Sequence, residues 1–397
     1  MVWYYPTLEV TTENGANIPS TMYKDHPEWI QVGMDGEHNV FYGGQGQVFW
    51  IDPDMESAWL SPSSGYRDYF IDRVEQIAAT NVDGLWADVP IYADFGPTLW
   101  SDFNPAATAR FTSDTGFAAP TTDDWSDPAW RRWITWRHEE IERFLTDVAA
   151  AAQAVNPQFP IIAETLPTDY NGGTIYGLDA GFLKDVPGVS HVFEVDSMSN
   201  ATGIRTATED DWISLISALK YTKAASGDKP SWVFSYGLQE DDGEAVMAEA
   251  VAAGNNPYEL MVPEMTTTVG DGSMRTRLFT WIQDNADYLD QRESAANVAV
   301  LYSSASRDFV DRMEGLGMFV TWNVDDDLHW AHDQIESAHE REFLAEFRGV
   351  IELLVNEHIP FDTLVEPTAA ELSRYDVVVV PRIEAMPTAE ASLLEAY

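Results

Sequence analysis

From the N-terminus onward, short apolar runs alternate with longer stretches in which apolar residues recur every three or four positions. Asn39–Tyr42, Gln47–Ile51, Val82–Val89, Phe159–Thr165, Val189–Val195 and Ser231–Tyr236 have the length and composition of strands, with a further one at Leu260–Val262. Between them, Tyr66–Thr80, Asp127–Val155, Glu209–Ala225 and Arg275–Leu289 carry a helical period. Strands alternating with helices imply parallel βα units. So many units within residues 1–292 fit a (β/α)8 TIM-type barrel better than an open sheet. A doubly wound sheet carries a Gly-rich turn between strand and helix, whereas Gly43-Gly44-Gln45-Gly46 precedes a strand.

The pattern changes after the barrel. Over residues 293–397, Val298–Tyr302 reads as a strand, Glu342–Glu357 as an amphipathic helix and Phe361–Val365 as a second strand. Val377–Val380 reads as a fully buried strand stopped by Pro381. This is the start of a flavodoxin-like α/β domain, expected to be incomplete because the pattern stops inside a helix at Tyr397.

Charge alters this picture more than composition does. There are 66 acidic residues against 22 basic ones, a net charge of −44. Self-repulsion on that scale is screened when molar salt shortens the Debye length to about 3 Å. The protein therefore reads as one from a salt-saturated cytoplasm or brine. A disordered acidic chain is excluded, because 15 Trp, 16 Tyr and 18 Phe accompany acids scattered along the whole length. Nucleic acid and anionic membrane are poor partners for such a surface. No apolar run of about 18 residues is present to span a bilayer. Met1–Pro6 lacks the basic-then-apolar order of a signal peptide. With no Cys there is neither a disulfide nor a thiolate metal site.

Catalytic groups in a barrel project from the C-terminal strand ends. Asp52 and Asp54 follow the run ending at Ile51, Asp88 closes Leu85-Trp86-Ala87, and Glu164 closes Ile161-Ile162-Ala163. Glu194 and Asp196 follow His191-Val192-Phe193. Tyr236 follows Trp232-Val233-Phe234, with Glu240, Asp241 and Asp242 just beyond, and Glu264 follows Met261-Val262-Pro263. Aromatic residues lie close to most of these acids. Sugars offer flat faces to aromatic rings and hydroxyls to carboxylates, and glycosidic cleavage needs two carboxyl groups. Asp88 stands out as a lone carboxylate directly closing an apolar strand. Trp50, Trp86, Trp232 and Tyr236 would form a sugar platform, with Asp52, Asp196 and Glu264 contributing polar contacts. Arg137 or His191 would steady the carboxylates. His26 is a candidate for the cleft, while His138 in Trp136-Arg137-His138-Glu139-Glu140 reads as helix surface. His329 and His332 read as solvated surface rather than a metal pair. Neither a calcium-loop spacing nor a serine nucleophile elbow is present, and no cofactor is implied.

Val82-Asp83-Gly84-Leu85-Trp86-Ala87-Asp88-Val89 resembles the strand-four segment of glycoside-hydrolase-like barrels, a group that includes α-L-fucosidase-like proteins. The Tyr66-Arg67-Asp68-Tyr69 helix before it, and Phe111–Gly116, Asp127–Trp130 and Trp136-Arg137 after it, extend the resemblance. Residues 293–397 resemble the trimerisation domain of barrel β-galactosidases, which is like a glutamine amidotransferase, through Val298–Ser303 and Tyr375–Pro381. The resemblance implies a retaining glycosidase with Asp88 as nucleophile and Glu194 or Glu164 as acid/base, and a homotrimer. The chain departs from those β-galactosidases in lacking the Asn-Glu pair at the strand-four end and the zinc-binding Cys cluster. Thr98-Leu99-Trp100-Ser101-Asp102 occupies the latter stretch. A carbohydrate-binding or structural pseudoenzyme is the rival expectation.

Overall fold

The computed structural model describes residues 1–12, 22–42, 56–88, 90–93, 100–165, 173–194, 209–235, 240–259, 273–289, 292–310 and 342–397. Among the described residues the chain divides into two compact units, 1–190 and 191–397.

In the first unit, β1 (Val2–Pro6), β5 (Gly84–Asp88) and β6 (Ile161–Thr165) pair in parallel, with β5 in the middle. Tyr4 lies opposite Trp86 and Pro6 opposite Asp88, while Ala87 lies opposite Ala163. The β5 and β6 runs are buried on both faces, as parallel strands covered by helices are. Gly84 opens β5 because a Cβ there would meet the Pro160 ring at 2.8 Å. The strand begins two residues later than Val82, the start that its apolar pattern implies.

The helix Tyr66–Ala78 packs on the long helix Pro128–Val155. The long helix starts where Asp127 accepts a hydrogen bond from the Ala129 amide (2.8 Å) and Pro128 fills the first turn. Its buried stripe runs from Trp130 through Trp133, Ile141, Phe144 and Val148 to Ala152. Trp133 sits in the centre of this core, stacked on Phe103 at 4.5 Å and edge-on to Phe111 at 5.0 Å.

Two early segments differ from the expected barrel strands. β1 was hidden in the N-terminal Val2-Trp3-Tyr4-Tyr5-Pro6, which has no punctuation before it. Conversely, β3 (Val40–Tyr42) is not a parallel barrel strand. It joins β2 (Glu9–Thr12) and β4 (Glu56–Trp59) in a small antiparallel sheet with β4 central. Glu-Val-Thr-Thr and Glu-Ser-Ala-Trp mix polar and apolar residues, the composition of antiparallel pairing. The expected strands Gln47–Ile51 and Leu260–Val262 lie outside the described residues.

In the second unit, β7 (Val189–Glu194), β8 (Trp232–Ser235) and β9 (Asn256–Glu259) are parallel neighbours, with helices Glu209–Ala225 and Glu240–Ala252 between successive strands. A three-stranded parallel sheet follows, with β10 (Val298–Tyr302) between β11 (Phe361–Val365) and β12 (Val377–Val379). The helix Glu342–Asn356 packs on β10. Lys220 ties the helix Glu209–Ala225 to β11, its ammonium donating to the Phe361 carbonyl at 3.0 Å. One expectation is corrected here. The Val377–Val380 run is not fully buried, because β12 is the edge strand of its sheet, and Val377 is 50% exposed. The helix expected over Arg275–Leu289 is two helices, Ser273–Asp284 and Ala286–Leu289, divided at Asn285.

Candidate active site at the ends of β5 and β6

Strand alternation places side chains two residues apart on one face. The register therefore puts Tyr4, Trp86 and Ile162 in one layer and Pro6, Asp88 and Glu164 in the next, toward the C-terminal strand ends. Glu164 is buried (2% exposed), and its Oε2 accepts a 2.7 Å hydrogen bond from the Trp86 indole nitrogen. Asp88 is half-buried at the end of β5, with Tyr4 and Glu164 near enough to act on its carboxyl. The Tyr4 ring packs on Trp86 with centroids 6.3 Å apart.

Two neighbouring carboxyl groups disfavour each other's ionisation. Burial pushes the Asp88 carboxyl up, and Tyr4 and Glu164 nearby pull it part of the way back. Burial and the charges of Asp88, Glu164 and Glu9 push the Tyr4 phenol far above its ordinary value. Glu9 lies just beyond β1, buried, and accepts hydrogen bonds from the Ser57 hydroxyl and, at 3.4 Å, from the Thr11 hydroxyl. The arrangement is two neighbouring carboxyl groups at adjacent strand ends, which suits nucleophile and acid chemistry.

Of the expected site residues, Asp88, Glu164 and Trp86 come together. Trp86 is 6% exposed and grips Glu164, so it orients an acid instead of offering a stacking face to sugar. Trp232 opens β8, at the strand end opposite to the one where barrel catalytic groups gather, so it is no sugar platform there. Glu194 closes β7, but its side chain lies outside the described set, as do Trp50, Asp52, Asp54, Asp196, Tyr236, Glu264, His329 and His332. Glu240, Asp241 and Asp242 begin a helix, and their side chains also lie outside that set.

Three basic residues are placed differently from expectation. Arg137 is fully buried and donates to the Thr174 and Ile175 carbonyls, with its guanidinium 4.6 Å above the Tyr92 ring. His138 is not surface, because it is 1% exposed with Nδ1 2.8 Å from the Gly177 carbonyl oxygen. His191 is buried against the helix Glu209–Ala225, with Nε2 3.5 Å from the Ser226 hydroxyl just past that helix. Alternating charge and aromatics in a helix do not reveal which face is inward. His26 stacks on Trp29 at 3.7 Å and contacts Glu28.

Burial and the nearby Lys229 push the His191 imidazole down to about 3. The unfolded chain therefore takes up the proton first, and folded-state stability falls as pH drops from about 6.5 toward 3. His191→Gln should remove about 2–3 kcal/mol of the stability lost between pH 7 and 4.5. Urea midpoints of both proteins at those pH values test this, and parallel losses would show that His191 is not responsible.

Tyr4 and Glu9 were missed by inspection of the sequence. An aromatic run ends in Pro6 with a carboxylate three residues further on, but nothing in it says what the segment pairs with.

No protein-family model matches the sequence, and no curated protein matches it. Solved structures do match in fold. The β-galactosidase from Bacillus circulans sp. alkalophilus superposes with a TM-score of 0.63 at 14% identity, covering 94% of this chain and 57% of its own. The polyextremophilic β-galactosidase from the Antarctic haloarchaeon Halorubrum lacusprofundi gives 0.63 at 12% identity, covering 96% of this chain and 60% of its own. The α-L-fucosidase isoenzyme 2 from Paenibacillus thiaminolyticus gives 0.55 at 14% identity, covering 94% and 48%. The chain thus spans less than two thirds of the length of each. At these identities the likeness shows the fold alone, the parallel-sheet α/β architecture of glycoside-hydrolase barrels.

Proposed function

We propose that this chain is a glycoside hydrolase in which Asp88 is the nucleophile and Glu164 the general acid/base, acting by retention. The observation that carries the reading is the placing of two carboxyl groups, Asp88 and Glu164, at the ends of adjacent parallel strands, with Glu164 held by the Trp86 indole. In the first step the Asp88 oxygen bonds to the anomeric carbon while the bond to the leaving oxygen breaks and takes the Glu164 proton. In the second, Glu164 accepts a proton from water, which displaces Asp88 and releases the sugar. The fold shared with β-galactosidases and an α-L-fucosidase supports a sugar substrate. Glu194 is the alternative acid/base on the strand-order argument. The test is hydrolysis of an aryl glycoside panel in high salt, beginning with β-D-galactoside and α-L-fucoside, with the anomeric configuration of the first product read by NMR. Turnover with retained configuration is expected. An inverted product overturns the nucleophile assignment, and an inert panel overturns the hydrolase reading.

One observation favours a second reading, a carbohydrate-binding pseudoenzyme. The Glu164 carboxyl is buried, so a leaving oxygen reaches it only if its cover moves aside. Oligosaccharide binding by calorimetry without turnover would support this reading.

Residues 293–397 are an amidotransferase-like domain of the trimerising type in this proposal, and native mass in molar salt tests the trimer. Salt adaptation belongs to the same reading. With a net charge of −44, the thermal midpoint should rise between about 0.1 M and 3 M KCl as screening lengths shrink from about 10 Å to under 3 Å. A midpoint independent of KCl would remove the halophilic interpretation.

A further inference from the structure

The chain leaving β5 must be held after its pairing with β1 ends. The Thr7 amide, one residue past β1, donates to the Asp88 carbonyl at 3.1 Å. Pro90 follows and brings no N–H to continue a ladder. Ile91, Tyr92 and Ala93 are nevertheless buried, so their backbone groups need partners.

Gln31 supplies them. Its Nε2 donates to the Ile91 carbonyl at 3.3 Å, and its Oε1 accepts from the Ala93 amide at 2.7 Å. A carbonyl and an amide two residues apart, both meeting one peptide group, form the pattern of a parallel ladder. The Gln31 carboxamide stands where a neighbouring strand would place a peptide opposite Tyr92. Tyr92 donates its own amide to the Tyr176 carbonyl at 2.8 Å. Gly177 next to Tyr176 has φ +70°, and a Cβ there would overlap the Tyr92 ring. Residues 91–93 are therefore gripped along both edges.

The Gln31 end of the grip is itself fixed. Gln31 is fully buried, its amide donates to the Trp59 carbonyl at 2.7 Å, and its carbonyl accepts from the Asn39 amide at 2.9 Å. Nε2 also donates to the Leu60 carbonyl at 3.0 Å, so both side-chain donors and the side-chain oxygen are engaged. The next residue is pinned too, with the Val32 amide donating to Asp102 Oδ1 at 3.1 Å. A buried carboxamide is costly unless its hydrogen bonds are made, and an aliphatic side chain would fill the same space. We propose that Gln31 is a positioning residue, holding the segment three residues beyond Asp88 so that the Asp88 carboxyl stays aimed at the anomeric carbon. This inference rests on the hydrolase reading.

The test is Gln31→Glu, which keeps the shape and adds a proton that can be lost. Neutral, the new carboxyl accepts from Ala93 and donates to one of the two carbonyls. Ionised, it faces the Ile91 and Leu60 carbonyls without a donor, and burial holds its pKa above that of a free carboxyl. Relative to wild type, kcat should be about 10–100-fold lower near pH 8 and recover to within about threefold near pH 5, with KM within about twofold throughout. A purely structural role would lower the urea midpoint and leave kcat in molar salt unchanged. That result overturns the proposal, as does a kcat ratio independent of pH. Should the variant fail to fold, Gln31→Asn draws the amide back by one methylene and should lose kcat by a similar factor at every pH. Wild-type kcat in that variant overturns the role and leaves the hydrolase reading intact. If the wild type turns over no glycoside, the hydrolase reading fails by itself, and amide exchange followed by NMR then decides about Gln31. In Gln31→Asn the Ala93 amide should exchange faster while the Tyr92 amide, bonded to Tyr176, does not. An unchanged Ala93 amide overturns the grip.

Discussion

Glu164→Gln should lower kcat about 10²–10⁴-fold on glycosides with poor leaving groups and far less on those with activated aryl leaving groups. The asymmetry follows from the acid role proposed for Glu164. The amide keeps an oxygen to accept the 2.7 Å bond from Trp86, so the fold and the indole contact survive. What is lost is the proton that the departing oxygen needs, and an activated phenolate leaves without it. Asp88→Asn should behave differently, with turnover lost by at least as large a factor whatever the leaving group, because no covalent intermediate can form. The two variants thus separate acid from nucleophile on one set of substrates. The pH profile adds a further check. Glu164 must be protonated for the first step, so the wild type should lose rate at high pH, and Glu164→Gln should lose that limb. Equal losses across leaving groups for Glu164→Gln would move the acid role elsewhere, with Glu194 next in line.

The legible parts of the fold were those where one local signal decides. β5 and β6 were visible because a continuous apolar run closed by a single carboxylate has few other uses, and their acids do converge. Helix Glu209–Ala225 was legible to the residue from its period. The parts that were not legible depend on what lies across the chain. Nothing local in Val2-Trp3-Tyr4-Tyr5-Pro6 says that it pairs with β5, so Tyr4 was invisible. In Trp136-Arg137-His138-Glu139-Glu140 the charges suggest water, yet Glu140 is fully buried with Arg110 at 3.1 Å and Arg143 at 2.8 Å. A buried charge is recognised by its partners, and here Arg143 shares the helix while Arg110 comes from the helix Pro105–Thr115. Trp232 and His191 fail for a related reason. Strand membership was correct for both, but position along the strand and the face presented decide whether a residue meets substrate or helix.

Arg137 carries the largest expected effect on stability, with Arg137→Met losing about 3–5 kcal/mol. Methionine fills similar volume, so the loss is one of polar partners and not of packing. The Thr174 and Ile175 carbonyls would each lose a donor in a site without water access, at about 1–3 kcal/mol apiece. The guanidinium also lies between aromatic rings, 4.6 Å from Tyr92 and 5.6 Å from Trp100, and that contact adds a smaller share. A pH signature identifies the mechanism. Asp102 is fully buried, accepts hydrogen bonds from the Val32 and Asn104 amides at 3.1 and 2.9 Å, and has its carboxyl raised to about 6 chiefly by burial, with Arg137 among the groups that hold it down. An acid raised on folding costs stability as pH rises from its ordinary value through the folded one. Without Arg137 the Asp102 carboxyl should rise further, so the variant should lose more at pH 8 than at pH 5. The consequence reaches the candidate site, because Tyr92 lies four residues past Asp88 and its amide is fixed to the Tyr176 carbonyl at 2.8 Å. Urea unfolding in molar salt at both pH values is the measurement. A loss under about 1 kcal/mol, or one equal at the two pH values, would mean that the rings and not the charge hold this segment beside Asp88.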